Sequence, residues 1–109
     1  MATGARLAFI HEDITDWKRP LAEYLPAVFD LARSNHIPFG VIFIAGSSDG
    51  PDAAWMQSAE RNIDAVRALA MPPQDHLCFA TWHRFPTQNL PETSTNAFTH
   101  LIDYYFQRS

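Results

Sequence analysis

Two kinds of hydrophobic pattern alternate along this chain. Three short apolar runs, Leu7-Ala8-Phe9-Ile10, Phe39-Gly40-Val41-Ile42-Phe43-Ile44 and Leu77-Cys78-Phe79-Ala80-Thr81, each pass directly into a polar or aromatic cluster. The clusters are His11-Glu12-Asp13, Ala45-Gly46-Ser47-Ser48 and Trp82-His83-Arg84. Short apolar runs bounded by such clusters predict strands. After each, apolar residues recur at helical spacing. Leu21, Tyr24, Leu25, Val28, Phe29 and Ala32 trace one helix face, with Asp16 a candidate cap and Pro20 in the first turn. Pro26 either kinks that helix or marks where it starts in earnest. Trp55, Ala59, Ile63, Val66 and Ala70 trace a second helix, with Asp52 as the expected cap and Met71-Pro72-Pro73 as the stop. Phe98, Leu101, Ile102 and Tyr105 trace a third, with Thr93 or Ser94 as its expected cap.

The predicted order is β-α-β-α-β-α, a single α/β domain over residues 1–109 made of three consecutive βα units around a parallel sheet. The second strand is apolar on both faces, which predicts cover on both sides. A sheet of only three parallel strands leaves two edges with unpaired backbone groups. The chain is therefore expected to be part of a larger layer, or to complete itself by self-association through its sheet edges.

Composition narrows the partners. Charged residues make up 18% and the net charge is −4, with Lys18-Arg19 the one adjacent basic pair, so no basic stripe exists to follow a phosphate backbone. Nucleic acid is not an expected partner. No apolar run approaches the ~20 residues that span a bilayer, and Met1-Ala2-Thr3-Gly4-Ala5-Arg6 is too short and polar for a signal peptide. The sequence as it stands reads as soluble and cytoplasmic, with no membrane partner. Cys78 is the single cysteine, which excludes an internal disulfide and any CxxC metal pattern, and its apolar strand suits a small buried hydrophobe. No cofactor motif is present.

Chemistry is expected at the carboxyl ends of the strands, where parallel α/β proteins place their sites. His11 and Asp13 alternate by two and so share a face, with Glu12 on the other. An imidazole beside a carboxylate suits proton transfer or the binding of a sugar hydroxyl, and Asp16 follows closely. Asp13 and His11 are the catalytic candidates. Trp82 can stack on the CH face of a sugar, His83 can add a polar contact, and Asp16 and Ser47 complete the substrate-binding candidates. The loop Gly46-Ser47-Ser48-Asp49-Gly50 lacks a Walker lysine and carries a repelling carboxylate, so a phosphate cradle is not expected. A metal-dependent enzyme using His11, Asp13, Asp16 and His83 is an alternative, although those residues have no recognised ligand spacing.

The third unit, Asp75-His76-Leu77-Cys78-Phe79-Ala80-Thr81-Trp82-His83-Arg84-Phe85-Pro86 through Leu90-Pro91-Glu92-Thr93 to Phe98–Tyr105, resembles the C-terminal end of bacterial glycoside-hydrolase-like TIM-barrel proteins. The His11-x-Asp13 strand end and Ile37-Pro38-Phe39-Gly40-Val41-Ile42 are similar to the two preceding units. The resemblance implies a partial (β/α)8 barrel corresponding to the sixth, seventh and eighth strands, with a carbohydrate-binding rim and Trp82 as its aromatic platform. Many such barrels carry a nucleophilic Glu at the end of the seventh strand. Here that strand ends Ile44-Ala45-Gly46. Glycoside hydrolysis needs two bracketing carboxyl groups, so weak or no catalysis is expected from this chain alone.

Overall fold

The computed structural model describes residues 7–46, 51–81 and 84–107. Among them the chain forms strands β1 (Ile10–Glu12), β2 (Phe39–Phe43) and β3 (Cys78–Phe79), and helices α1 (Leu25–Ser34), α2 (Asp52–Arg67) and α3 (His100–Gln107). The sheet is parallel throughout, in the order β1-β2-β3. The chain is thus a small α/β domain in which each crossover returns to the neighbouring strand. Right-handed crossovers between strands laid down in sequence place successive helices on the same face.

That face is read directly from the register. Ile10 pairs with Phe39, Glu12 with Val41 and Phe43 with Phe79, so these six residues share one side of the sheet. Phe39, Val41 and Phe43 are fully buried there. The Phe29 ring of α1 packs edge-on against Phe39 at 5.1 Å, and Tyr105 of α3 lies 5.7 Å from Phe43 and 6.0 Å from Phe79. Val66 of α2 lines a cavity of about 140 Å³ together with Phe43 and Tyr105. All three helices therefore pack on one face. The opposite face holds His11, Gly40, Ile42 and Cys78, so cover on both sides, expected from the apolarity of β2, is not what forms. Gly40 is buried there by the chain at His76, and Ile42 stays half-buried.

Local sequence explains most helix limits. The segment Leu21–Glu23 is a 3-10 turn, and α1 starts at Leu25 with Pro26 in its first turn, where a missing N–H costs nothing. Leu25, Phe29 and Ala32 form its buried stripe. Its end is a Schellman motif: the Ile37 N–H reaches the Ala32 carbonyl at 2.9 Å and the His36 N–H reaches Arg33 at 3.0 Å, with His36 at φ 57°. In α2 the buried stripe is Trp55, Met56, Ala59, Ile63 and Val66. Two buried polar residues of this helix secure the end of β2: Asn62 donates to the Ile44 carbonyl at 2.7 Å, and the Ser58 hydroxyl accepts the Gly46 N–H at 2.9 Å. Tyr104 of α3 donates to Asp64, and the Arg67 guanidinium lies 4.3 Å over the Tyr105 ring while donating to that residue's carbonyl.

Several expected boundaries move. The second helix ends at Arg67, leaving Ala70 beyond it in the left-handed conformation, and the third strand is Cys78–Phe79 within the apolar run 77–81. The first strand is Ile10–Glu12 and not Leu7–Ile10, because β2 begins at Phe39 and offers no partner to residues 7–9. Asp52 is the first helical residue after an N-cap at Pro51, and its carboxylate turns outward to accept the N–H and hydroxyl of Thr87 at 2.8 and 2.6 Å. The last helix starts at His100, well after Thr93 and Ser94. The preceding backbone is diverted instead, with Phe98 N–H on Gln88 and Thr99 N–H on Asn89. No helix among the described residues is long and apolar enough to cross a membrane.

His36 and Ala70 both hold the left-handed conformation, at φ 57° and 53°. That conformation costs an L-residue about 1–2 kcal/mol, of which a glycine recovers roughly half after its own entropy loss. Replacing His36 or Ala70 by Gly is expected to raise Tm by a few degrees in thermal denaturation. A fall in Tm for both would contradict the assigned caps.

Candidate functional site

The expected site residues separate into two groups. At the carboxyl end of β1, Asp13 lies just past the strand and is exposed. Asp16 is exposed and accepts the Lys18 N–H at 3.0 Å, closing a local turn. Trp17 follows, half-buried against Gly46 at the end of β2, and its indole N–H is buried without a hydrogen-bond partner. Glu12 points to the helix-covered face, as its alternation with His11 predicts. There it influences Tyr24: burial, then the charge of Glu12, raises the phenol above its ordinary value, Arg19 opposing and Asp16 adding. The Arg19 guanidinium sits 4.6 Å over the same ring. Tyr24 therefore remains a neutral hydroxyl in a ring of charge. This end of the molecule collects carboxylates, an indole and a phenol, which can bind hydroxyl-rich ligands through charge-assisted hydrogen bonds and an apolar ring face. Ser47, Trp82 and His83 lie outside the described residues, as does the rest of the loop after Gly46.

His11 belongs to a different group. Its register partner is Gly40, so its side chain lies on the sheet face opposite Glu12. Nε2 of His11 lies 2.8 Å from Nδ1 of His76, and Nδ1 of His11 lies 3.4 Å from Sγ of Cys78. Phe9 stacks on the His11 ring at 4.3 Å and meets His76 edge-on at 5.5 Å. His11 thus joins two residues more than sixty positions later in one line, thiol to imidazole to imidazole. A line is not a cage: the two nitrogens of His11 face different partners, and among the described residues no three His, Cys, Asp or Glu side chains are placed to hold a metal ion.

The sheet geometry makes this line. Cys78 pairs with Ile42, two residues beyond Gly40, so both lie on the same face as His11. His76 precedes β3, where the chain rides over β2. Its N–H and that of Asp75 both reach the Phe39 carbonyl, while the side chains of Asp75 and Gln74 accept the N–H groups of Phe39 and Val41 at 2.9 and 2.6 Å. This crossing is possible because residue 40 is Gly. A Cβ there would fall on the His76 carbonyl oxygen. Cys78 is half-buried and not the fully buried hydrophobe that its apolar run suggests. Burial still pushes its thiol above the ordinary value. His76 carried a signal in the sequence that goes unused in a search for strand ends: His76-x-Cys78 repeats the period-two spacing of Phe9-x-His11.

Comparison of the chain with protein-family models, with curated proteins and with solved structures returns no match.

Gly40→Ala is expected to destabilise the domain by about 1–3 kcal/mol, the usual cost of overpacking against backbone, and to separate His76 from His11. Denaturant unfolding together with the imidazole NMR signals of His11 and His76 checks both. Unchanged stability with unchanged imidazole signals would remove Gly40 from this role.

Proposed function

We propose that the chain is a barrel-type βα layer whose carboxyl-terminal rim binds carbohydrate, with little or no catalysis of its own. The observation that supports it is the one-sided winding: strands in sequential order, three helices on the Phe39-Val41-Phe43 face, and an opposite face without a helix. A singly wound layer of this kind is the repeating plan of a (β/α)8 barrel, whose ligand sites lie at the carboxyl ends of the strands.

In this reading Asp13 accepts from a sugar hydroxyl at the rim, Asp16 flanks it, and Trp17 and Tyr24 supply the ring faces. Trp82, His83 and Ser47 join them as ligand contacts by the resemblance. The proton-transfer partner first assigned to Asp13 is a different matter. His11 is engaged with Cys78 and His76, so Asp13 serves as a binding group and not as half of an acid–base pair.

A second reading has its own support. Leu7 and Phe9 are 57% and 49% exposed beside the free edge of β1, and an apolar edge with unpaired backbone favours pairing with a second copy. The chain is then a self-associating α/β module.

Two measurements on the intact chain distinguish these. Tryptophan fluorescence titrated with a panel of neutral mono- and oligosaccharides is expected to saturate in the millimolar range for at least one, with Asp13→Asn weakening it about tenfold, as loss of a charge-assisted hydrogen bond does. Sedimentation at the same concentrations is expected to give a monomer or a weak dimer. No saturable response to any sugar, with a tight dimer that Leu7→Lys dissolves, would replace the first reading by the second.

A further inference from the structure

We propose that Cys78 is a modification site that forms a mixed disulfide with a small disulfide compound, with His11 accepting the thiol proton and His76 acting as the positioning residue. The site lies at the start of β3 on the sheet face opposite Glu12, and is independent of the carbohydrate reading.

The contacts accommodate a proton chain that can run in either direction. In the direction the proposal uses, the thiol donates to Nδ1 of His11, and the His11 proton sits on Nε2 and is donated to Nδ1 of His76. With His76 accepting in this way, Nδ1 of His11 is the basic nitrogen that faces sulfur. Phe9 stacked on His11, and the His76 backbone seated over Gly40, hold both rings in place. The ionisable residues adjoining the relay are Glu12, on the other face of β1, and Asp75, whose carboxylate takes the Phe39 N–H. Because burial raises the Cys78 thiol, free thiolate is scarce near neutral pH and attack depends on a base in contact.

The relay suits one reaction class. Acyl transfer also needs a set of donors converging on a developing oxyanion, whereas disulfide exchange develops charge only on sulfur. Thiol–disulfide exchange needs a thiolate, a proton acceptor and in-line access. Cys78 sulfur gives its proton to His11 Nδ1 and attacks one sulfur of the disulfide R–S–S–R. The new S–S bond forms as the old one breaks, and the departing RS⁻ leaves as RSH with the proton from His11. Cys78 is oxidised to the mixed disulfide, and half of the reagent is reduced to thiol. Cys78 is the single cysteine in the sequence, so the second sulfur comes from outside the chain.

The test is the rate at which the intact chain reacts with dithiobis(nitrobenzoate), with glutathione disulfide and intact mass as the second probe and Cys78→Ser as blank. The native chain is expected to react without denaturant. Its rate constant is expected to rise less than about threefold between pH 7 and 8, as for attack assisted by a neutral imidazole, whereas an unassisted buried thiol gains about tenfold. His11→Gln is expected to slow the reaction by about tenfold or more. His76→Leu is expected to slow it similarly, while His76→Gln, which keeps an acceptor for His11, stays near native. Circular dichroism checks that each variant folds, and the native pH profile decides if one does not. A chain that reacts only after denaturation, a tenfold rise per pH unit, or a folded His11→Gln variant at the native rate would each overturn the assignment.

Discussion

The burial of one side of β2 is the constraint on which the remaining structure depends. Phe39, Val41 and Phe43 alternate along five residues and reach complete burial on a single face. Each large apolar side chain removed from water contributes about 1.5–3 kcal/mol, and three in a row require continuous cover. Three helices provide it in sequence: Phe29 over Phe39, Val66 beside Phe43, and Tyr105 over Phe43 and Phe79. Because the strands follow one another in order, the two crossovers deliver α1 and α2 to that face, and α3, after β3, packs there through Tyr105. The ends of β2 are then secured by polar side chains, Gln74 and Asp75 at the start, Ser58 and Asn62 at the finish. They satisfy backbone groups that a short, incomplete sheet would otherwise leave unpaired.

What this arrangement leaves over is functionally more informative than what it covers. The face without helices among the described residues holds a thiol and two imidazoles in hydrogen-bond contact, and Gly40 is the residue that lets them meet. The carboxyl-end rim has a different character, built from Glu12, Asp16, Trp17 and Tyr24 at the first strand and the turn after it. The two groups therefore lie on opposite faces of a small sheet, His11 and Cys78 on one and Glu12 on the other. His11, expected beside Asp13 at the strand end, makes its contacts with His76 and Cys78. The reason is stagger: β1 ends at the level of Val41, in the middle of β2, so a residue near its end faces the beginning of β3.

The order of elements was legible in the sequence, as were the stripes of α1 and α2. Those rest on periodicity over many residues, and of the two readings of Pro26 it is the helix start, not the kink, that forms. Trp55 was legible as core for the same reason. The misplaced features all depend on contacts made across the chain. A strand of three residues is defined by where its neighbour begins, which apolarity alone does not reveal. Asp52 has the local signature of a cap, yet its carboxylate finds a stronger partner in Thr87, thirty-five positions later. The turns before α3 follow pairing with Gln88 and Asn89 and not the propensities of Thr93 and Ser94. His76 was unremarkable until the chain crossed over Gly40, since a period-two repeat in an irregular segment carries little weight without knowing which strand lies beneath it.

One measurement bears most directly on the one-sided layer, because it reads both faces at once. Nuclear Overhauser contacts among side chains in solution are expected to connect Phe39 with Phe29, and Phe43 and Phe79 with Tyr105. On the other face, Ile42 and Cys78 are expected to contact the strands and the segment around His76, without contact to any helix. Contacts from α1, α2 or α3 to Ile42 or Cys78 would contradict the account, since they would place a helix on the face that the winding leaves bare.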